Sequence, residues 1–248
     1  MTDGDAASAG IPLLEALRAR APVEIAALPG VAVHLFSLAA CEPRIVELSG
    51  LISAADRHRA ETFGHQLRRS AYIAGRALLR GLLSESVAGD TPPSSWEFEN
   101  GPYGKPGIAA PEHSGLHFSL SYSDRIIAIA VSRKFDLGVD IEALSPAGSD
   151  EVPWHVLTNA ERHFLRTLPP EQQFIEFLRL WTLKEAYTKS LGLGATLDFR
   201  GVEVSLDKEL PKVEAAKKPA SPPLLHQRII EIGGWSYVLA IGAVRGWS

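Results

Sequence analysis

The stretch Trp181-Thr182-Leu183-Lys184-Glu185-Ala186-Tyr187-Thr188-Lys189 closes a helical run that begins near Glu171, and its charges fall on an unexpected side of that helix. At helical spacing Phe174, Phe177, Leu178 and Trp181 form an apolar stripe, and the next position along it is Glu185. The spacing therefore aims a carboxylate toward the core. Lys189 lies one turn further, so the two head groups share a face, while Leu180, Leu183 and Tyr187 extend a neighbouring apolar row. Pro169-Pro170-Glu171 is suited to start this helix, with proline preset for the first turn and an acid at the positive end of the dipole; Gly192 and Gly194 are suited to stop it. On an ordinary surface helix, Glu185 and Lys189 would be an ion pair worth about 0.3–0.5 kcal/mol. On an apolar stripe the acid needs a partner cation or a metal.

The rest of the composition is that of a globular protein. The 248 residues are 46% hydrophobic and 22% charged, enough for one large or two modest domains. A net charge of -4 and a pI near 6.1 leave no electrostatic footprint for nucleic acid or for an anionic membrane. The first ten residues lack the basic start and apolar core of a secretory signal, and no apolar run reaches membrane-spanning length, so a cytoplasmic location is expected. Cys41 is the only cysteine, which rules out an internal disulfide and a cysteine zinc cage and reads as a small core residue.

In chain order, residues 1–30 read as a weakly ordered leader with a short helix over Leu13 to Arg20, and Val31 to Phe36 as a first strand. Leu51 to Gly64 reads as an amphipathic helix, with His58 and His65 as solvated residues rather than metal ligands. Leu67 to Leu83 reads as a long helix on which Arg69, Arg76 and Arg80 recur along one side. That row is either a solvated face or a set of phosphate clamps, which arginine suits by its fixed fork. Within turn-rich Ser94 to Gly107, the segment Gly101-Pro102-Tyr103-Gly104-Lys105-Pro106 presents one lysine on a rigid loop. Leu116 to Ser121 and Ile126 to Val131 read as strands joined by Tyr122 to Arg125, and none of their serines sits in a GxSxG elbow.

In the strand Leu137-Gly138-Val139-Asp140-Ile141-Glu142, alternation turns Leu137, Val139 and Ile141 one way and Asp140 and Glu142 the other. Such a pair is either a wet polar face or a hard-oxygen site suited to magnesium. Ser145 to Pro153 reads as a link, Thr158-Asn159-Ala160-Glu161 as a helix cap, Val202 to Leu206 and Trp235 to Ile241 as strands, and Leu210 to Pro223 as a mobile loop.

Three motifs thus stand in order: Gly138-Val139-Asp140-Ile141-Glu142, Trp181-Thr182-Leu183-Lys184-Glu185-Ala186, and Lys189 one turn on. This arrangement resembles the phosphopantetheinyl transferases of the surfactin-synthetase type. The Gly104-Lys105-Pro106 loop, the Phe118-Ser119-Leu120-Ser121-Tyr122-Ser123 segment and the arginine-bearing helix extend the likeness over roughly residues 51–194. The resemblance implies an α+β fold, a pseudo-dimer of two similar halves (31–135 and 136–248, after the 1–30 leader) with the active site in the cleft between them. It implies a cytoplasmic, monomeric enzyme that transfers the 4'-phosphopantetheine arm of coenzyme A to a serine of an apo acyl, peptidyl or aryl carrier protein.

The resemblance further places Mg2+ on Asp140, Glu142 and Glu185, and catalysis on Glu185, Lys189 and Asp140. Coenzyme A contacts would fall on Arg69, Arg76, Lys105, Ser121, Tyr122, Lys184 and Lys189. Ser119 and Tyr122 depart from the family, which often has asparagine and histidine there; a phenol donates one hydrogen bond but carries no positive charge near neutral pH. The carboxylate trio alone would also suit a metal-dependent phosphodiesterase, and the cleft alone a non-catalytic coenzyme A-binding module.

Overall fold

The computed structural model describes residues 13–14, 16–17, 28–88, 91–111, 115–144, 151–193, 198–206, 211–215, 219 and 221–246. Most of the leader, residues 145–150 of the link, and Gly194 lie outside the described residues. Leu13, Leu14 and Leu17, from the expected first helix, are helical and buried.

Two antiparallel three-stranded sheets make up the centre of the fold. The first pairs β1 (Val31–Ser37), β5 (Ile126–Ser132) and β4 (His117–Ser123) in that order; the second pairs β6 (Asp136–Ala143), β10 (Trp235–Val244) and β9 (Leu224–Ile232). Short hairpins β2 (Glu97–Asn100) with β3 (Pro106–Ala110), and β7 (Val202–Ser205) with β8 (Lys212–Ala215), lie outside these sheets. After short helical turns at Leu38–Cys41 and Ile45–Ser49 come α1 (Ala54–Glu61) and the 21-residue α2 (Gln66–Ser86); α3 (Asn159–Arg166) and the 21-residue α4 (Pro170–Ser190) follow β6. Helix α4 begins at proline as the sequence indicates, and it ends two residues before Gly192, whose φ of +69° suits glycine.

Period-two alternation distributes the sheet side chains among three cores. In β5, Ile127, Ile129 and Val131 pack with Leu78 and Leu82 of α2, while Ile126, Ala128 and Ala130 turn to a second core shared with Leu137, Val139 and Ile141 of β6. The second sheet repeats this division: Leu239 and Ile241 of β10 face the shared core, whereas Val238 and Ala240 meet Leu183, Ala186 and Tyr187 of α4. Asp140 and Glu142 therefore stand on the side of β6 opposite the shared core, as the alternation requires. Cys41 is fully buried, and burial pushes its thiol up to about 12, in keeping with a core residue.

Strands β4 and β6 run side by side but belong to different sheets, and side-chain hydroxyls bridge them instead of a backbone ladder. Ser119 Oγ accepts from Val139 N at 3.0 Å and Ser123 Oγ from Ala143 N at 2.9 Å; between them Ser121 Oγ donates to Asp140 Oδ1 at 2.8 Å. The alternate serines of β4 are thus the seam between the sheets.

Several elements differ from the sequence reading. Turn-rich 94–107 contains β2 and the start of β3, and Lys212–Ala215 of the expected mobile loop is a strand. Strand β9, absent from the sequence reading, forms along β10.

Helices α3 and α4 are tied by a buried ionic network. Thr158 and Glu161 form a capping box, and Glu161 Oε2 also lies 2.6 Å from Lys184 Nζ, while its Oε1 accepts from Val204 N at 2.9 Å. Lys184 Nζ donates further to Phe199 O at 2.9 Å. Both side chains are essentially inaccessible, so removing one leaves the other charged and unpaired. Lys184→Met is expected to lower stability by about 3–5 kcal/mol, and Lys184→Met with Glu161→Gln by less, read from urea midpoints. Wild-type stability in Lys184→Met would contradict this network.

Candidate active site

Helix α4 lies unusually close to the second sheet, and two glycines allow it. Gly138 of β6 and Gly242 of β10 are cross-strand partners, and both face the helix backbone at Ala186. A Cβ on Gly138 would stand 1.8 Å from Ala186 O, and one on Gly242 2.8 Å from the same atom. Because those neighbours are backbone atoms, no side chain at either place fits without moving the helix. Gly242 stands in no motif, and the sequence reading missed it.

This close approach brings Lys189 of α4 against Asp140 of β6 and Ser121 of β4, with Glu185 one turn back on the same helix. Lys189 Nζ sits 2.6 Å from Asp140 Oδ1, 3.2 Å from Val139 O, 3.4 Å from Ser121 Oγ and 3.9 Å from Glu185 Oε2. The expected Glu185–Lys189 pair therefore exists only at long range, and the short contact is made to the strand. Asp140 is 4% exposed, and its Oδ2 is buried without a hydrogen-bond partner among the described residues.

Burial is the main force raising the pKa of all three carboxyls. It pushes Asp140 up despite Lys189, and Glu185 up with Asp140 adding repulsion against the Lys189 attraction. Glu142, desolvated and beside the Asp140 carboxylate, reaches about 7. Among the described residues, no three His, Cys, Asp or Glu side chains are arranged to grip a metal ion. The donor chemistry nonetheless fits a hard divalent cation: the charges of Asp140 and Glu185 are both felt at Glu142, and one buried Asp140 oxygen has no hydrogen-bond partner among the described residues.

The other expected residues divide into two groups. Lys105 lines a cavity of about 510 Å³ with His117, Asp136, Leu191 and Gly192, and donates to Ser190 O at the end of α4 at 3.3 Å. Burial lowers its pKa, with Asp136 opposing. His117 Nδ1 and Asp136 Oδ1 stand 3.1 Å apart in the same cavity, a pair that no local motif announces.

Tyr122 is 43% exposed, but its hydroxyl is seated over Gly75, where an added Cβ would fall 2.0 Å from it; desolvation there keeps the phenol protonated, with Arg76 opposing. Arg76 Nε donates to Asp56 Oδ1 at 2.9 Å, and its guanidinium lies 4.2 Å from the Phe98 ring centroid. Burial disfavours the Asp56 charge, but Arg76 and Arg80 outweigh it and hold the carboxyl below its ordinary range.

Two arginines and the motif lysine stand apart from the cluster. Arg80 is 1% exposed, bonded to Asp56 Oδ2 at 2.6 Å and to Pro93 O at 3.1 Å, so the solvated-face reading of the arginine row is wrong for Arg80. Arg69 leans on Phe63 O at 3.4 Å. Lys184 faces Glu161, because one residue along a helix rotates a side chain by about 100° away from Glu185. A larger polar cavity of about 860 Å³ between the start of α3 and the Phe199 turn contains none of the expected site residues.

Glu142 makes stability pH-dependent. Its folded pKa of about 7 exceeds the ordinary 4.5, so between those values the folded state holds a proton that the unfolded state has lost, and stability falls as pH rises through that window. From about pH 5 to about pH 7.5 the melting temperature is expected to fall more steeply in the wild type than in Glu142→Gln. Equal slopes would contradict the crowding of these acids.

Residues 136–240 match the profile of the 4'-phosphopantetheinyl transferase superfamily. The chain is 30% identical over 197 residues to the 4'-phosphopantetheinyl transferase HetI of Nostoc sp., covering 78% of this chain and 77% of that one. It is 28% identical over 158 residues to the 4'-phosphopantetheinyl transferase Sfp of Bacillus subtilis (64% and 68% covered), and 37% identical over 130 residues to AcpT of Escherichia coli K12 (50% and 59% covered). A holo-[acyl-carrier-protein] synthase from Thermotoga maritima superposes on 45% of this chain and 65% of its own at a TM-score of 0.33 and 19% identity, too loosely to carry an argument. With the motif-bearing strand and helix both inside the matched segment, and with most of HetI covered, the chain belongs to the 4'-phosphopantetheinyl transferase superfamily and is a phosphopantetheinyl transferase.

Proposed function

We propose that this enzyme moves the 4'-phosphopantetheine arm of coenzyme A onto a serine hydroxyl of an apo carrier protein, releasing adenosine 3',5'-bisphosphate, and that it requires magnesium. The observation that carries this reading is the convergence of Asp140, Ser121, Glu185 and Lys189, from two strands of different sheets and one helix, at the serine-bridged seam. Residues 31–135 and 136–248 would act as two halves, each contributing a three-stranded sheet and a 21-residue helix, with coenzyme A in the cleft where they meet.

Asp140, Glu142 and Glu185 would hold the magnesium ion. Bound there, the ion would supply charge neutralisation on the pyrophosphate. Lys189 would meet the phosphate that departs with adenosine bisphosphate, the Tyr122 hydroxyl would donate a hydrogen bond to a phosphate oxygen, and Ser121 would orient Asp140 beside it. Arg76, held by Asp56 through Nε, and Lys105 would contact the adenosine end. Glu185, whose basicity is raised by burial, would accept the proton of the carrier serine as its oxygen bonds to the pantetheine phosphorus and the bond to adenosine bisphosphate breaks. Positioning and charge complementarity do most of the work in such a transfer.

The test is to incubate the protein with coenzyme A, magnesium and an apo carrier domain and to weigh the carrier. A gain of one phosphopantetheine is expected with the wild type, and none with Asp140→Ala. Free products with an unmodified carrier would point to hydrolysis instead, and full labelling by Asp140→Ala would remove Asp140 from the site.

A further inference from the structure

We infer that Lys189 is a built-in counter-cation, which a divalent ion must displace from Asp140 before the carboxylates can close on that ion. The inference rests on the metal assignment proposed above. It starts from where the ammonium sits. Its contacts with Asp140 Oδ1, Val139 O and Ser121 Oγ are with strand groups, whereas the acid on its own helix, Glu185, is 3.9 Å away. Lysine is thus folded back into the acidic cluster rather than extended along α4.

Three further observations agree. The carboxylates are near each other but do not form a cation cage among the described residues. Asp140 Oδ2 is buried and unbonded, on the same carboxylate whose other oxygen the lysine holds. The Lys189 side chain is 28% exposed against 5% for Asp140, so the lysine has a route out and the aspartate has none. A divalent cation on Asp140 would face a like charge 2.6 Å from Oδ1, and the flexible four-carbon stem is the part of this site free to move. The lysine would then shield the acids from one another in the metal-free protein and be released toward the substrate phosphate when the metal arrives. Lys189 would be directed to the phosphate by metal binding, not poised there beforehand.

Manganese(II), chosen for its spectroscopic signal, is titrated into the full chain without coenzyme A or carrier. Lys189→Met is expected to bind it at least tenfold more tightly than the wild type, Lys189→Arg no more tightly, and Asp140→Asn weakly or not at all. Equal or weaker binding by Lys189→Met than by the wild type would overturn the counter-cation role while leaving the metal site standing. Absence of binding in both would remove the metal site, and this inference with it.

Because Lys189→Met leaves Asp140 without its cation and could unfold, a second measurement uses the unaltered protein. The lysine ammonium 1H–15N signal, identified by its absence in Lys189→Arg, is expected without metal and should vanish or shift as magnesium is added. Its persistence unchanged at saturating magnesium would equally overturn the inference.

Discussion

The contact on which the site depends is between backbones: Ala186 O of helix α4 lies where the side chain of residue 138 would be. Glycines paired across β6 and β10 let the helix settle onto the sheet, and this fixes which α4 side chains meet the strand. Ala186 rests on the two glycines, Lys184 turns to Glu161, and Lys189 meets Asp140, with Glu185 at longer range. A helix lifted by one methyl group would lose the 2.6 Å contact between Lys189 and Asp140. The glycine of the strand motif is therefore a packing requirement that sets the electrostatics.

Those electrostatics are weighted against the charged carboxylates. Desolvation disfavours three acids, Lys189 returns part of that loss to Asp140, and one oxygen of Asp140 stays without a partner. A site built only for stability would have no reason to crowd carboxylates beside a serine-bridged seam. Lys184 and Glu161, one helical step away, show what a purely structural pair looks like in this protein: inaccessible, short, and bonded to further backbone groups on both sides. Asp56, between Arg76 and Arg80, is intermediate. It fixes Arg80 in the core and holds Arg76, which is partly exposed, through Nε.

Local patterns revealed much of this. The proline start of α4, the alternation in β6 and the cap at Thr158 each depend on residues close in sequence, and each forms as read. Strand β9 escaped because Leu224–Ile232 mixes buried and exposed residues without a clean period, and β10 supplies the pairing that decides its state. The roles of Lys184, Asp56 and Gly242 escaped for a related reason. A buried lysine beside a site glutamate looks like a site lysine until its partner Glu161, 23 positions earlier, is in place. Likewise, a glycine in an apolar strand says nothing until a helix lies on it. The identity of the surfaces that would receive coenzyme A depends on residues contributed from the loop before β3, from β4, α2 and α4 together, a convergence that no single stretch encodes.

The central claim is that Lys189 pairs with the strand carboxylate Asp140 first and with Glu185 only at longer range, so that the two helix residues would serve the reacting groups rather than form a simple helical salt bridge. The most direct measurement is the carrier-labelling rate of a protein in which the two are exchanged (Glu185→Lys with Lys189→Glu), with its melting temperature taken on the same preparation. A helical salt bridge would survive the exchange. Here it would set a glutamate against Asp140 and a lysine in the acidic cluster's outer position, a like-charge contact of about 4 kcal/mol at an effective dielectric of 20, which corresponds to a rate loss of roughly a thousandfold. A folded protein with labelling suppressed to that extent is the predicted result; labelling near the wild-type rate would contradict the account.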